Sequence, residues 1–222
     1  MVEHLAGQDR TPPARWLAAL PSGTNPTAAT HAYRQLVQRW NEPHRRYHTI
    51  QHLTAVLDLI DQHIHLTDNP QTVRLAAWFH DAVYDPRAGD NEERSAQLAL
   101  RTLGSLGSPD ALASDVARLV RLTATHNPAD NDRDGALLVD ADLAILAADP
   151  GTYDGYALGV REEYRHVPDE LFRAGRAAVL TRLADVPMAY RILPDRSAMR
   201  VRAEHNLRRE LASLAVTPNR AG

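Results

Sequence analysis

A segment between residues 44 and 85 concentrates side chains that can bind a metal ion, and it constrains the fold of the whole chain. It contains His48 and His52, one helical turn apart, followed by the adjacent pair His80 and Asp81. The pair directly follows the apolar run Ala-Ala-Trp-Phe, so we expect it to be buried. An imidazole and a carboxylate are costly to bury unless a partner compensates them. A divalent cation would use both groups at once, so the rest of the chain should supply further ligands and a scaffold.

The hydrophobic pattern predicts an all-α fold, because apolar residues recur at helical spacing along most of the chain. The predicted helices lie near 27–40, 49–63, 71–83, 90–103, 109–125, 135–147, 152–165, 169–185 and 195–214. No long segment alternates apolar and polar residues, which argues against strands. We expect one irregular bundle of about eight to nine helices over 26–216. A loose Pro- and Gly-rich arm (1–25) would precede it, and a short tail (217–222) would follow.

Four residues are predicted to face the interior with side chains that ligate metals: His52, His80, Asp81 and Asp142. Asp142 lies on an apolar stripe, at i+4 from Leu138. Taken singly, each histidine could be a hydrogen-bonded core residue, and Asp142 could form a buried ion pair with an arginine. All four on inward faces favour a metal site built between helices of a bundle. Two imidazoles and two carboxylates suit Mn²⁺, Fe²⁺ or Zn²⁺ better than Mg²⁺.

The composition removes several classes of function. The chain has no cysteine, which excludes disulfides and thiolate metal sites, and no lysine, which excludes Schiff-base chemistry and a P-loop. With a net charge of -3 and no basic face, a nucleic-acid polymer is not an expected partner. No apolar run reaches the roughly 18 residues of a membrane helix, and the N-terminus lacks a signal-peptide pattern. We therefore expect a cytoplasmic protein without a membrane partner.

Two local patterns bear on helix ends and on rival chemistry. Asp90 with Glu93 forms a predicted capping box at the start of one helix. His48 and His52 have the spacing of the zinc-protease helix, but Thr49 stands where that motif needs its glutamate, so this interpretation fails.

The order of the candidate ligands resembles the HD superfamily of metal-dependent phosphohydrolases. In that family a first His, a His-Asp pair and a late Asp bind a metal; the matching positions are His52, His80, Asp81 and Asp142. The stretches RRYHTIQHL, AAWFHDAVYD, DNEERSA, DADLAIL and VREEYRHVP resemble a small bacterial branch of predicted HD phosphohydrolases. The resemblance covers roughly residues 30–215. It implies an HD-type helical bundle and a small phosphorylated substrate, for example a nucleotide, cleaved by a metal-activated water.

The resemblance also suggests roles for single residues. Tyr47-His48-Thr49-x-x-His52 is similar to the YHNxxH element of cyclic-nucleotide phosphodiesterases, which implies that His48 donates the leaving-group proton, although Thr49 replaces the Asn. Asp81 would also orient the attacking water. Candidates for contact with the substrate or a second metal are His126, Arg45, Arg46, Glu92 and Arg161. A structural ion pair explains Arg161 equally well.

Two other classes of function are left open. Some HD-type scaffolds carry out diiron oxidations, but only one histidine, His126, lies between Asp81 and Asp142, so one metal is expected and a second is uncertain. The other class is a non-catalytic nucleotide-binding regulatory module, against which the intact ligand set argues. The amphipathic C-terminal helix could mediate a homodimer, but packing in the core is the simpler expectation.

Overall fold

The computed structural model describes residues 12–185 and 190–215, and this part of the chain is all-helical, without a strand. Ten α-helices are present, slightly more than the sequence pattern predicts. They are α1 (Pro12–Ala19), α2 (Pro26–Trp40), α3 (Ile50–His63), α4 (Pro70–Phe79), α5 (Asn91–Ser105), α6 (Asp110–Leu122), α7 (Arg133–Asp142), α8 (Pro150–Glu163), α9 (Asp169–Asp185) and α10 (Arg196–Ala215). Short 3₁₀ segments follow α3 and α7, at Ile64–Leu66 and Leu143–Ala147. The predicted all-α class is confirmed.

Helix α4 is the centre of the bundle. Every residue from Leu75 to Phe79 is fully buried, and α4 packs against α1, α3, α5, α6 and α7. An apolar run without polar interruption has this environment because a helix that is hydrophobic all round must be covered on all sides. The C-terminal end of α4, where the His-Asp pair follows, therefore lies deep in the protein.

Part of the predicted N-terminal arm is ordered helix, which corrects the sequence prediction. The indole of Trp16 in α1 is completely buried, donates from Nε1 to the Ala29 carbonyl at 2.9 Å, and packs edge-on against Trp78 and Phe79. An eight-residue helix is too short to show a clear period in the sequence, so tertiary packing rather than local preference stabilises it. Residues 1–11 and the predicted tail at 217–222 lie outside the described residues.

Helix α4 ends four residues earlier than predicted, and this changes how the His-Asp pair is presented. Arg45 donates to the carbonyl oxygens of Asp81 at 2.8 Å and of Ala82 at 3.4 Å, while His80 donates from Nδ1 to the Ala77 carbonyl at 2.7 Å. The chain thus leaves the helix after Phe79, and the Arg45 side chain satisfies the carbonyls of Asp81 and Ala82 in place of a further helical turn.

Two other local predictions have different outcomes. Asp90 does precede α5, but its side chain makes no capping hydrogen bond, and Glu93 instead pairs with Arg121, so the capping box is wrong. Helix α10 packs in the core as expected, through buried Met199 and Leu207. Among the described helices, none combines the length and apolar character needed to cross a membrane.

Candidate metal centre

Three mutually packed helices bring the predicted ligands to one point. His52 lies in the first turn of α3, His80 and Asp81 follow the end of α4, and Asp142 is the last residue of α7. Both histidines are buried, while Asp81 and Asp142 keep 18% and 12% of their side chains exposed. The two carboxylates thus form the border between a buried imidazole pair and an open space.

The ligand atoms have the separations expected around one ion. Nε2 of His52 and Nε2 of His80 are 3.2 Å apart, and Oδ1 of Asp142 is 3.2 Å from the former and 3.5 Å from the latter. Oδ2 of Asp81 is 3.4 Å from His80 Nε2 and 3.9 Å from His52 Nε2. His52, His80 and Asp81 each offer one ligand atom within 4.8 Å of the others. Ligands about 2.1 Å from a common ion stand about 3–4 Å from each other, so this group of three fits a metal, and Asp142 lies beside it.

The chemistry of the donors also fits a cation. Because His80 donates from Nδ1 to the Ala77 carbonyl, its Nε2 is the atom free to ligate. Without a metal, burial alone would lower the pKa of His80, but the charges of Asp81 and Asp142 raise it to about 9. For His52 burial prevails and lowers the pKa, which favours the neutral, ligating imidazole. A divalent ion would balance the two carboxylates that otherwise need a protonated histidine between them.

His126 joins the group from the loop after α6. Its Nε2 lies 3.1 Å from Oδ2 of Asp142, and its backbone adopts a left-handed conformation with φ 54°. The other oxygen of this carboxylate, Oδ1, is the one that approaches the imidazoles of His52 and His80. A role for His126 toward a substrate or second metal stays a prediction.

Glu163, two positions after Arg161 in the VREEY stretch, organises the other side of the site. Its carboxylate is fully buried; Oε1 accepts from the backbone N–H groups of Arg46, Tyr47 and His48, at 2.7, 2.9 and 3.0 Å. Oε2 accepts from Nδ1 of His48 at 2.7 Å and from the Tyr84 hydroxyl at 2.8 Å. The five hydrogen bonds fix both the loop that carries His48 and the orientation of its ring.

This buried pair changes the titration of both members. Burial alone would raise the pKa of Glu163, but the hydrogen bond to His48 and its charge lower it to about 2. Burial would lower the pKa of His48, and the hydrogen bond to Glu163 together with the nearby Asp81 carboxylate raises it instead. His48 is therefore held in its protonated form to higher pH than an ordinary histidine.

A close helix-to-loop approach makes the contact between Glu163 and His48 possible. Gly159 of α8 packs beneath the loop, where a β-carbon would lie 3.2 Å from Cβ of Tyr47. One turn later, Glu163 reaches the loop's N–H groups. The only sign of this in the sequence is that Glu163 follows the buried Val160 at i+3, on the inner face of α8.

Three arginines predicted to contact the substrate, Arg45, Arg46 and Arg161, form contacts within the protein instead. Arg45 is buried, and its guanidinium donates to Glu42 and to the carbonyls of His48, Asp81 and Ala82. Its side chain is fully buried, so it is not presented to a phosphate.

Arg46 and Arg161 also lie apart from the metal centre. Arg46 is exposed and donates to the carbonyls of Pro43 and Arg45, beside a different cavity. Arg161 donates to the Tyr164 carbonyl at 3.0 Å and stacks its guanidinium 4.5 Å from the Phe172 ring centre. Its carboxylate neighbour is Asp169, at 3.6 Å, so the structural explanation of Arg161 is the one the geometry supports.

A cavity of about 550 Å³ opens on the metal centre. Of the predicted site residues, it is lined by His48, Asp81, Glu92, His126 and Asp142. The structure thus brings these five to one space that a small molecule can enter.

Comparisons of the chain with models of protein families, with curated proteins and with solved structures found no match. The likeness of its motifs to the HD superfamily therefore remains a resemblance. What the fold and the site define is an all-α protein with a buried His/His/Asp group that can hold a metal ion beside a cavity.

Proposed function

We propose that the protein is a metal-dependent phosphohydrolase that cleaves a phosphoester of a small molecule. The observation that carries the proposal is that His48, oriented by Glu163, lines the same cavity as Asp81 and Asp142 of the candidate metal centre. Phosphoester hydrolysis needs an activated water on one side of the phosphorus and a proton for the leaving oxygen on the other. The resemblance to HD phosphohydrolases supports the same reaction.

The ligand set would hold a divalent ion, of which Mn²⁺, Fe²⁺ or Zn²⁺ suits imidazole and carboxylate donors. Such an ion, when bound, lowers the pKa of water and polarises a phosphoryl oxygen. His52, His80 and Asp142 would bind it. Asp81 has the more exposed of the two carboxylates, so it would both bind the ion and accept a hydrogen bond from the attacking water.

His48 would serve as the general acid. Its Nδ1 is committed to Glu163, so its Nε2 is the nitrogen left to donate a proton to the leaving oxygen. Because its pKa is raised, more of His48 is protonated at a given pH than of an ordinary histidine, which favours its role as a proton donor. Glu163 is a positioning residue, since it orients this ring without lining the cavity itself.

The diiron alternative finds less support. A second metal would need its own ligands. Among the described residues that line the cavity, His126 is the single histidine besides His48. The regulatory-module alternative would leave the orientation of His48 by Glu163 without a purpose. Hydrolysis, by contrast, gives a role to the metal ligands, to His48 and to Glu163.

The test is elemental analysis and turnover of protein purified without chelator or tag, compared with Asp81→Ala. We expect about one equivalent of Mn, Fe or Zn in the parent, and hydrolysis within a panel of phosphomonoesters and nucleotides. Asp81→Ala should lose both metal and turnover while far-UV circular dichroism stays helical. Phosphoester hydrolysis by the variant at the parent's rate would refute the proposal.

A further inference from the structure

The cavity beside the metal centre is lined by two chemically different groups of residues. The carboxylates of Asp81 and Asp142 and the imidazoles of His48 and His126 form its polar end. An apolar wall comes mostly from α9 and includes Leu146, Val160, Leu171, Phe172, Val179 and Leu183. Helix α9 also contributes Arg176 and Arg182 to the lining.

Part of this apolar wall is open to solvent. Leu171 and Val179 are 65% and 39% exposed, about two turns apart on α9. Apolar side chains in the wall of a cavity that also holds polar groups are typical of ligand sites, where the polar groups orient the ligand and the apolar wall binds its body.

The charges lining the cavity limit how much phosphate it can accept. Arg176 is one of two arginines there, and Glu210 already neutralises it through contacts of 2.8 and 3.2 Å. The other, Arg182, is exposed at the edge, on the last turn of α9. Against them stand Glu92 and the two ligand carboxylates. Binding of a di- or triphosphate needs several uncompensated cations, so the lining favours a single phosphate held at the metal.

We infer that the substrate is a phosphomonoester whose alcohol carries an apolar alkyl or aryl group. This inference rests on the proposed function. The phosphate would lie at the polar end, and the apolar group would lie along α9. The oxygen of water bonds to phosphorus as the P–O bond to the alcohol breaks. His48 protonates the leaving oxygen and regains a proton from the attacking water through solvent, so the products are inorganic phosphate and the alcohol.

The test is a series of n-alkyl phosphates from ethyl to hexyl, with glycerol phosphate and ATP as polar and polyanionic comparisons. We expect kcat/KM to rise about fourfold for each methylene that becomes buried, and to be lowest for glycerol phosphate and ATP. Leu171→Asn and Val179→Asn should flatten this dependence on chain length. The matched control is Leu158→Asn on α8, which is 70% exposed and does not line the cavity, and which should leave the dependence unchanged.

A second measurement separates this inference from the proposed function. Binding of methylphosphonate and hexylphosphonate to the Mn²⁺-loaded protein, followed by calorimetry, needs no turnover. Tighter binding of hexylphosphonate than of methylphosphonate, weakened by Leu171→Asn, would support the apolar site. If no ester were hydrolysed, only the proposed phosphohydrolase activity would be refuted. Equal affinity for the two phosphonates, or glycerol phosphate turned over as fast as hexyl phosphate, would overturn the inference.

Discussion

Nδ1 of His48 and Oε2 of Glu163 lie 2.7 Å apart, although 115 positions separate the two residues in the chain. The same carboxylate accepts three backbone N–H groups of the loop before α3. A charged acceptor with this many donors is stabilised in its ionised form. The Glu163 carboxylate therefore both orients the His48 ring and favours its protonated form. The site therefore has two parts: the group of candidate metal ligands, and the proton donor His48, which Glu163 positions. The short segment from residue 46 to residue 52 connects them.

Replacing Glu163 with Gln should shift the pH dependence of turnover to lower pH. The variant keeps the shape of the side chain but removes the charge that raises the pKa of His48. The protonated, donating form of His48 would then be lost at a lower pH. We expect the alkaline limb of the kcat profile to move to lower pH. An NMR titration of the His48 ring should show the same displacement, and an unmoved profile would contradict the assignment of His48 as the acid.

The same pair should make stability depend on pH. The folded pKa of Glu163, about 2, lies below its ordinary value of 4.5, so its stabilisation is present above about pH 4.5 and disappears as the pH falls toward 2. We expect Glu163→Gln to lower the free energy of unfolding by about 2 kcal/mol at pH 6. The difference from the parent should shrink progressively between pH 4.5 and 2. Urea unfolding at pH 6 and pH 3 measures both, and a constant difference would show that lost packing, not charge, is responsible.

Metal addition should stabilise the parent and not a ligand variant. At a free metal concentration about one hundred times Kd, binding to the folded state adds about 2.7 kcal/mol. For a chain of this length that corresponds to a rise in Tm of about 5–10 °C. Asp142→Asn should abolish the rise, because Asp142 approaches both imidazoles. Asp90→Asn is the matched control, since its side chain is 65% exposed and lies outside the group. An equal rise in Asp142→Asn would place the ion elsewhere.

Removal of the Trp16 indole should test whether α1 belongs to the folded unit. We expect Trp16→Ala to lower the free energy of unfolding by about 3–5 kcal/mol, because a fully buried ring and its hydrogen bond are lost. Leu17→Ala, at the neighbouring position with 51% exposure, should change it by less than about 1 kcal/mol. Chemical denaturation of the two variants measures this contrast, and similar values for both would mean that α1 contributes little.

The local sequence pattern determined the all-α class of the fold and the types of side chain that could ligate a metal. Helical periodicity located nine of the helices to within a few residues, because each apolar stripe must face a core whatever the neighbouring helices are. It also predicted that His52, His80 and Asp142 face inward, which the burial of the imidazoles and the short Nε2–carboxylate distances agree with. The unbroken apolar run before the His-Asp pair also predicted the burial of His80, which is 1% exposed.

Only the tertiary structure decided which distant groups complete the site. The contact of Glu163 with His48 depends on how closely α8 approaches a loop, and the burial of Arg45 depends on carbonyl groups released where α4 ends. The order of α1 depends on an indole pocket to which α2 and α4 contribute. None of these contacts repeats with a period along the chain. A sequence pattern reports which face of a helix is apolar, whereas the partner of a single buried charge is set by long-range packing, and that packing exists only once the helices have assembled.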